Sequence, residues 1–394
     1  MAEHPPTTST PDPEAVRVPE AFGRTRAFLS EDHGKDLHHG FQLFASVDGV
    51  PVADFAYGQA LGLRLTPGTP LHWLCASKPL TSVSVALLVE AGVLRLDDPV
   101  TRFLPEYGQA GKAGARIGDL LAHTVPYRDG SSQYVASLDW QENLAAACAA
   151  PIDEAMGIGS VRTYSAWINS HVLAEVVSRA RGEEYGDFLR REVLVPLGMD
   201  RTYLGMTAEE YAAVADDLRA MTYGGVRNPG SGSANDAFVM GVPELRAASI
   251  PGIGAMGTMR DLARLYEAML GHGPVGGEPA WQGASALLRR RHLVPEPPED
   301  WDNWSAGWAI NSMNWSQGFV TDRGMYCPEV SPRVFGQPGE KTVMAMADAD
   351  SGLVLAFSFN SFVSSAVAGF RMTRMCQAMY GDLVETGVLA AKRA

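Results

Sequence analysis

A cysteine at position 75 and a lysine at position 78, in the string Cys75-Ala76-Ser77-Lys78, are spaced so that a nucleophile and its base meet on one face of a helical turn. The run from Ser77 to Ala91 predicts a helix. Its apolar residues Leu80, Val83, Val85, Leu87, Leu88 and Val89 cover almost the whole circumference, so the helix is expected inside a core rather than on a surface. A thiol at the start of such a helix meets the positive end of the helix dipole and a neighbouring ammonium. Both favour the thiolate, the reactive form. Taken alone the pair is a weak signal, because a free cysteine is among the most buried residue types and is usually inert packing. Ser77 is the other nucleophile in the string, but the residue three positions on is Leu80, and Lys78 projects about 100° away around the helix.

The surrounding sequence resembles the serine hydrolases built like class C β-lactamases and penicillin-binding proteins, whose nucleophile and base form a Ser-x-x-Lys pair. Here the serine is Cys75. The similarity runs from Leu71-His72-Trp73-Leu74 through the Cys75 string to Pro79-Leu80-Thr81, and on through Leu88-Val89-Glu90-Ala91-Gly92 to Asp97-Asp98-Pro99. Downstream, Leu120-Leu121-Ala122-His123-Thr124, Pro196-Leu197-Gly198-Met199-Asp200-Arg201-Thr202 and Gly257-Thr258-Met259-Arg260-Asp261-Leu262-Ala263 are similar to further segments of that family, in the same order. The collinear matches extend over roughly residues 40 to 360. They imply an α+β, β-lactamase-like fold: an antiparallel sheet flanked by helices, plus a mainly helical subdomain. The expected division is a disordered tail over residues 1–20, a sheet domain from 21–100 and 246–394, and the helical subdomain over 101–245.

The same resemblance assigns roles. Tyr164, in Tyr164-Ser165-Ala166, falls where the family carries its catalytic tyrosine, and a phenol there can relay a proton to a leaving group. Beside a lysine ammonium the phenolate becomes accessible near neutral pH, so Lys78 and Tyr164 are expected to share the acid and base work. Ala166 stands where the family's tyrosine motif has an asparagine, and one substrate-orienting amide goes with it. Gln337-Pro338-Gly339 replaces the Lys-Thr-Gly or His-x-Gly strand motif. Gly339 allows close approach of backbone to ligand, and the resemblance pairs the Glu340 N–H with the Cys75 N–H as an oxyanion hole. Gln337 carries no charge to fix a β-lactam or peptide carboxylate, which argues against those substrates.

The chemistry of sulfur points further. Thioesters prefer amines over water more strongly than oxygen esters do, so a cysteine nucleophile favours passing an acyl group to an amine over hydrolysing it. The family includes stand-alone transacylases of natural-product pathways, such as those resembling lovastatin side-chain transfer or amide formation on capuramycin-type nucleosides. The expected activity is therefore acyl transfer through a Cys75 thioester, ATP-independent because no Walker loop is present, with a small-molecule acyl donor arriving as an activated ester or thioester and an amine acceptor. An esterase or amidase and a non-catalytic binding protein on the same scaffold remain the alternatives. No cofactor and no metal are expected: the histidines form no HExxH and the four cysteines, Cys75, Cys148, Cys327 and Cys376, no ligand spacing, so they read as reduced thiols.

The elements that must position these groups are legible as patterns. An outer helix is expected near Val16 to Ser30, strands over Gln42 to Val47 and Val52 to Tyr57, a hairpin of Thr342 to Met346 with Leu353 to Ser358 turned around Asp348, Asp350 and Gly352, and a last helix from Ser364 to Val384. Gly224 to Ser233 reads as a loop. His123 is expected to cap the Leu120-Leu121 segment and His72 to lie on the strand before Cys75, each a secondary candidate base. Trp301, Trp304, Trp308 and Trp315 crowd one segment, with Trp308 the candidate pocket wall. The net charge of −13 disfavours nucleic acid and anionic membrane partners. No run of apolar residues is long enough to span a bilayer, and the start Met1-Ala2-Glu3-His4-Pro5-Pro6 has neither a basic nor an apolar segment, so a cytoplasmic location is expected.

Overall fold

The computed structural model describes residues 18–60, 62–128, 137–219, 221–223, 242–295, 314–340 and 342–390. Its eight strands of interest are β1 (Gly40–Val47), β2 (Val50–Ala60), β3 (Leu63–Arg64), β4 (Leu71–His72), β5 (Met256–Gly257), β6 (Val334–Gly336), β7 (Val343–Asp348) and β8 (Leu353–Phe359). Six of them form one antiparallel sheet in the order β3-β2-β1-β8-β7-β6. The first and last thirds of the chain meet in its middle, where Phe41 of β1 stands opposite Phe359 of β8. Both tight hairpins follow from turn chemistry. Asp48 and Gly49 take positive φ values of 49° and 75° between β1 and β2, as a type I′ turn requires. Gly352 at φ 67° closes the β7–β8 hairpin, and a Cβ there would lie 2.0 Å from the Asp48 side chain.

Alternation along the strands divides the core in two. Phe41 and Leu43 of β1, Met344 and Met346 of β7, and Leu355, Phe357 and Phe359 of β8 face one side, where they pack with Phe28 and Leu29 of helix α1 (Gly23–Gly34) and Met375 and Met379 of the last helix, Ser365–Glu385. The opposite face carries small residues, Ala345, Ala347 and Ala356, which let a helix approach closely. That face joins the larger core containing helix α2 (Lys78–Glu90), helix α3 (Ile168–Arg181) and helix α4 (Met259–Met269). The sheet-and-helix architecture is the β-lactamase-like fold expected from the sequence. The first helix starts later than the expected Val16, because the chain turns at Pro19, with Phe22 N–H donating to its carbonyl, before helical winding begins. Residues 1–17 of the expected tail, the Gly224 to Ser233 segment, and Trp301, Trp304 and Trp308 lie outside the described residues. Among the described residues no helix is long and apolar enough to cross a membrane.

The central helix differs instructively from its expected form. Helix α2 is buried on all sides from Lys78 to Ala86, as its apolar circumference predicts. It begins at Lys78, however, and Cys75 lies on a separate 3₁₀ turn, Leu74–Ser77, that runs straight into it. In a 3₁₀ turn residues three apart eclipse one another, so the tighter winding preserves the neighbourhood of Cys75 and Lys78.

Candidate active site

The Cys75 turn is held by a two-stranded clamp. Leu71 pairs with Gly257 and His72 with Met256 between β4 and β5, the Trp73 amide donates to the Ala255 carbonyl (2.9 Å), and the Trp73 indole N–H donates to the Gly257 carbonyl (3.0 Å). Gly257 has to be glycine, since a Cβ would come within 2.4 Å of the Trp73 ring. The Ser77 hydroxyl accepts the Ala255 amide (3.1 Å) in a buried setting and so ties the turn into the clamp. Between these fixed points Leu74 adopts φ 52°, left-handed backbone that a bulky residue enters only under strain. Its side chain is kept in place by Met221 and Phe362. The result is a forced turn on which Leu74, Ala76 and Ser77 are buried and Cys75 alone stays half-exposed.

Lys78 is buried, and its ammonium donates to two backbone carbonyls, Ala166 at 2.6 Å and Gly252 at 3.1 Å. Gly252 is the unanticipated member of this cage: it holds φ 92°, and a Cβ there would meet Ser170 at 2.7 Å. The Cys75 side chain packs against the Tyr164 cluster and is close enough to influence the charge of both Lys78 and Tyr164. Burial lowers the Lys78 pKa from its ordinary value, opposed by the negative charges of Cys75 and Glu340. Burial raises the Tyr164 pKa well above that of a free phenol, and Cys75 and Glu340 push the same way. The expected phenolate is thereby corrected: desolvation outweighs the nearby lysine, so Tyr164 is held as a neutral phenol and Lys78 is the group biased toward giving up its proton.

Tyr164 is wedged into an aromatic wall. His123 stacks on it (ring centres 4.9 Å apart, 28° between planes), and Trp315 packs against both, 5.7 Å from Tyr164 and 4.8 Å from His123. Cys75 and Ala166 touch this cluster, which also includes Val320. Trp315, the one tryptophan of the crowded segment among the described residues, lies in this cluster beside the thiol; Trp308, the expected pocket wall, falls outside the described residues. His123 is more than the cap of Leu120-Leu121: its amide does reach the Leu120 carbonyl (3.3 Å), but its ring backs the tyrosine, and its φ of 55° is a second strained value at the site.

The strand motif arrives from the other side. A Cβ on Gly339 would lie 2.1 Å from the Trp73 carbonyl oxygen, so only glycine lets this segment touch the Cys75 turn, and Glu340 follows it half-buried. Gln337 behaves differently from the expected pocket donor. It is fully buried, its amide donates to the Pro338 carbonyl (3.1 Å), and its Oε1 atom has no partner among the described residues. Ala166 places its carbonyl on Lys78 and leaves a half-exposed methyl where an asparagine amide would otherwise stand.

A half-exposed thiol, a buried lysine and a tyrosine gather at the edge of a helix-flanked antiparallel sheet of the β-lactamase-like class. The chain belongs to the beta-lactamase family, whose model matches residues 27–374. It is 25% identical over 382 residues to the esterase/beta-lactamase LipL of Mycobacterium tuberculosis, covering 88% of this chain and 83% of that protein. It is 30% identical to penicillin-binding protein 4* of Bacillus subtilis over 156 residues, which span 38% of this chain and only 34% of that relative. Among solved structures, that of EstCE1, a hydrolase with promiscuous acyltransferase activity, superposes with a TM-score of 0.71 at 19% identity, covering 92% of this chain and 99% of that one.

Proposed function

We propose that the protein is an acyltransferase in which Cys75 forms a thioester acyl-enzyme from a small activated ester or thioester and passes the acyl group to an amine. The observation that carries this reading is one half-exposed thiol packed against the Tyr164 cluster, with the Lys78 ammonium over the same ring, the lysine's pKa lowered and the tyrosine's raised by burial. Two titratable groups whose environments drive them apart divide the work of base and acid. As Cys75 Sγ bonds to the acyl carbon, its proton passes to Lys78 Nζ, and the Cys75 and Glu340 amides stabilise the oxyanion. The carbonyl re-forms, the donor's C–O or C–S bond breaks, and Tyr164 supplies the proton its leaving group takes; the phenol is restored from Lys78. An amine then attacks the thioester, loses a proton to the same relay, and releases the amide and the free thiol.

Water in place of the amine gives hydrolysis by the same steps. The esterase named among the relatives favours that second reading of the outcome, though not of the nucleophile. The test is intact-mass spectrometry after exposure to a panel of activated esters, followed by addition of amines. Transfer predicts a Cys75 adduct discharged faster by amine than by buffer, with amide as product. An adduct discharged only to free acid favours the hydrolase, and no adduct with any ester removes the acyl-enzyme reading.

A further inference from the structure

Behind Tyr164 lies a buried chain of polar groups that the acyl-transfer steps leave unused. The Tyr107 and Tyr127 hydroxyls share a hydrogen bond of 2.5 Å, and Tyr127 donates to Asn169 Oδ1 (3.0 Å). With its oxygen so occupied, Asn169 turns its Nδ2 atom to the Leu120 carbonyl (2.9 Å) and to His123 Nδ1 (3.2 Å). The Ser165 backbone N–H also points at His123 Nδ1, at 3.1 Å. Tyr107, Tyr127, His123, Ser165 and Asn169 are all buried.

The logic of these bonds fixes the state of the imidazole. A backbone N–H can only donate, and the Asn169 oxygen is held on Tyr127, so both neighbours of His123 Nδ1 are donors and that nitrogen must keep its lone pair. A neutral imidazole then carries its proton on Nε2. Electrostatics agree, since burial and the charges of Lys78 and Arg162 hold the His123 pKa well below its ordinary value. The ring locked in this way is the one stacked on Tyr164.

We propose that His123, locked as the neutral Nε2–H tautomer by Ser165 and by the Asn169–Tyr127–Tyr107 chain, is a positioning residue that sets the plane and polarity of the surface against which Tyr164 works. The proposal rests on the assignment of Tyr164 as the acid of acyl transfer. It makes Asn169 the determinant of the tautomer: Asn169→Asp places an acceptor opposite His123 Nδ1 and draws the proton there. A ring whose Nδ1 carries hydrogen must rotate away from the Ser165 amide, because two donors then face each other, and the stack on Tyr164 is disturbed.

The test uses the full chain labelled with ¹⁵N at its nine histidines, with the His123 signals assigned by their loss in His123→Gln. In wild type the His123 Nδ1 resonance is expected at the unprotonated position and Nε2 at the protonated one; the reverse would overturn the tautomer. In Asn169→Asp the two are expected to exchange, and acylation of Cys75 by an activated ester is expected to slow roughly tenfold in kcat with KM changed less than about twofold, short of the ~10²-fold loss of a direct proton-transfer group. Tyr127→Phe, which keeps the ring and removes only the hydroxyl that orients Asn169, covers the case in which the buried aspartate does not fold; it is expected to lose several-fold in kcat with some Nδ1 protonation. Variants that acylate at the wild-type rate overturn the positioning role and leave the acyl-enzyme reading standing. A wild type that is never acylated overturns that reading, and with it the role given to His123, while the tautomer is still decided by the spectrum.

Discussion

The Lys78 Nζ atom stands over the Tyr164 ring, 5.0 Å from its centre. An ammonium there is favoured by the ring's quadrupole. The two groups are therefore close enough to act on one thiol and are still driven toward opposite protonation states, the lysine down and the tyrosine up. Their pairing predicts a specific pH dependence. Acylation by a neutral ester should rise with pH as Lys78 loses its proton, with a midpoint below the usual lysine range because burial lowers its pKa. Tyr164 holds its proton well past the ordinary phenol range, so no alkaline fall is expected while the protein stays folded. A bell-shaped profile descending near pH 8 in stopped-flow acylation would contradict the division of roles.

Thiol reactivity should separate Cys75, half-exposed, from the other three cysteines. Cys148, Cys327 and Cys376 are buried, and burial pushes the Cys148 thiol up to about 11, the Cys327 thiol up to about 12 and the Cys376 thiol well above its ordinary value. Iodoacetamide at pH 7 on the folded protein is expected to give one fast adduct, mapped to Cys75 by peptide mass spectrometry. Equal labelling of Cys148, or no labelling of Cys75 by a reagent as small as methyl methanethiosulfonate, would remove it as a nucleophile.

Lys78→Ala and Tyr164→Phe should each slow acylation ~10²-fold or more, the scale of a positioned proton-transfer group. Their stabilities should differ. Removing Lys78 strands the Ala166 and Gly252 carbonyls that it satisfies, at a cost of about 1–3 kcal/mol for each buried acceptor, whereas Tyr164→Phe keeps the stacked ring. Thermal denaturation is expected to show a lower Tm for Lys78→Ala and a nearly unchanged one for Tyr164→Phe. Wild-type rates in both would move the base elsewhere, to His72 or His123.

How much of this was legible in the sequence depends on the range over which each residue acts. The strand alternation of Phe41, Leu43 and Leu355, the turn at Gly352 and the apolar circumference of α2 are local patterns, and each predicts its element. Cys75 and Lys78 are local as well, and Tyr164 was reachable through the resemblance. Gly252, Trp315 and the ring of His123 owe their place to contacts with segments far along the chain, so no spacing announces them. The Ile250-Pro251-Gly252-Ile253-Gly254 run offered one signal, a glycine-rich stretch before a helix, but not that its carbonyl would hold a lysine. The tyrosine's lysine neighbour was visible in the sequence, whereas the burial that raises its pKa was not.

Gly339→Ala tests the oxyanion hole through backbone geometry alone. The added methyl would lie 2.1 Å from the Trp73 carbonyl oxygen and 3.0 Å from Val343 Cβ, so the segment carrying Glu340 must retreat from the Cys75 turn. Displacing one oxyanion donor is expected to slow acylation ~10²-fold. Cys75 labelling by iodoacetamide, which builds no oxyanion, should be little affected. A variant that acylates normally would show that the Glu340 amide takes no part.

Cys75→Ser restores the family's usual nucleophile and separates transfer from hydrolysis. With an oxygen ester as the intermediate, attack by an amine loses most of its advantage over attack by water. Lys78 must also deprotonate a much weaker acid than a thiol, whose reference pKa is about 8.5, so the first step slows too. The serine variant is therefore expected to form an acyl-enzyme, to turn over more slowly, and to give a lower ratio of amide to free acid at a fixed amine concentration. The comparison is informative because the Lys78 cage and the Trp315–His123–Tyr164 wall should be undisturbed by exchanging one atom. If wild type yields only free acid with every amine tried and the serine variant does the same, transacylation is wrong, and the protein is a cysteine hydrolase on a β-lactamase scaffold.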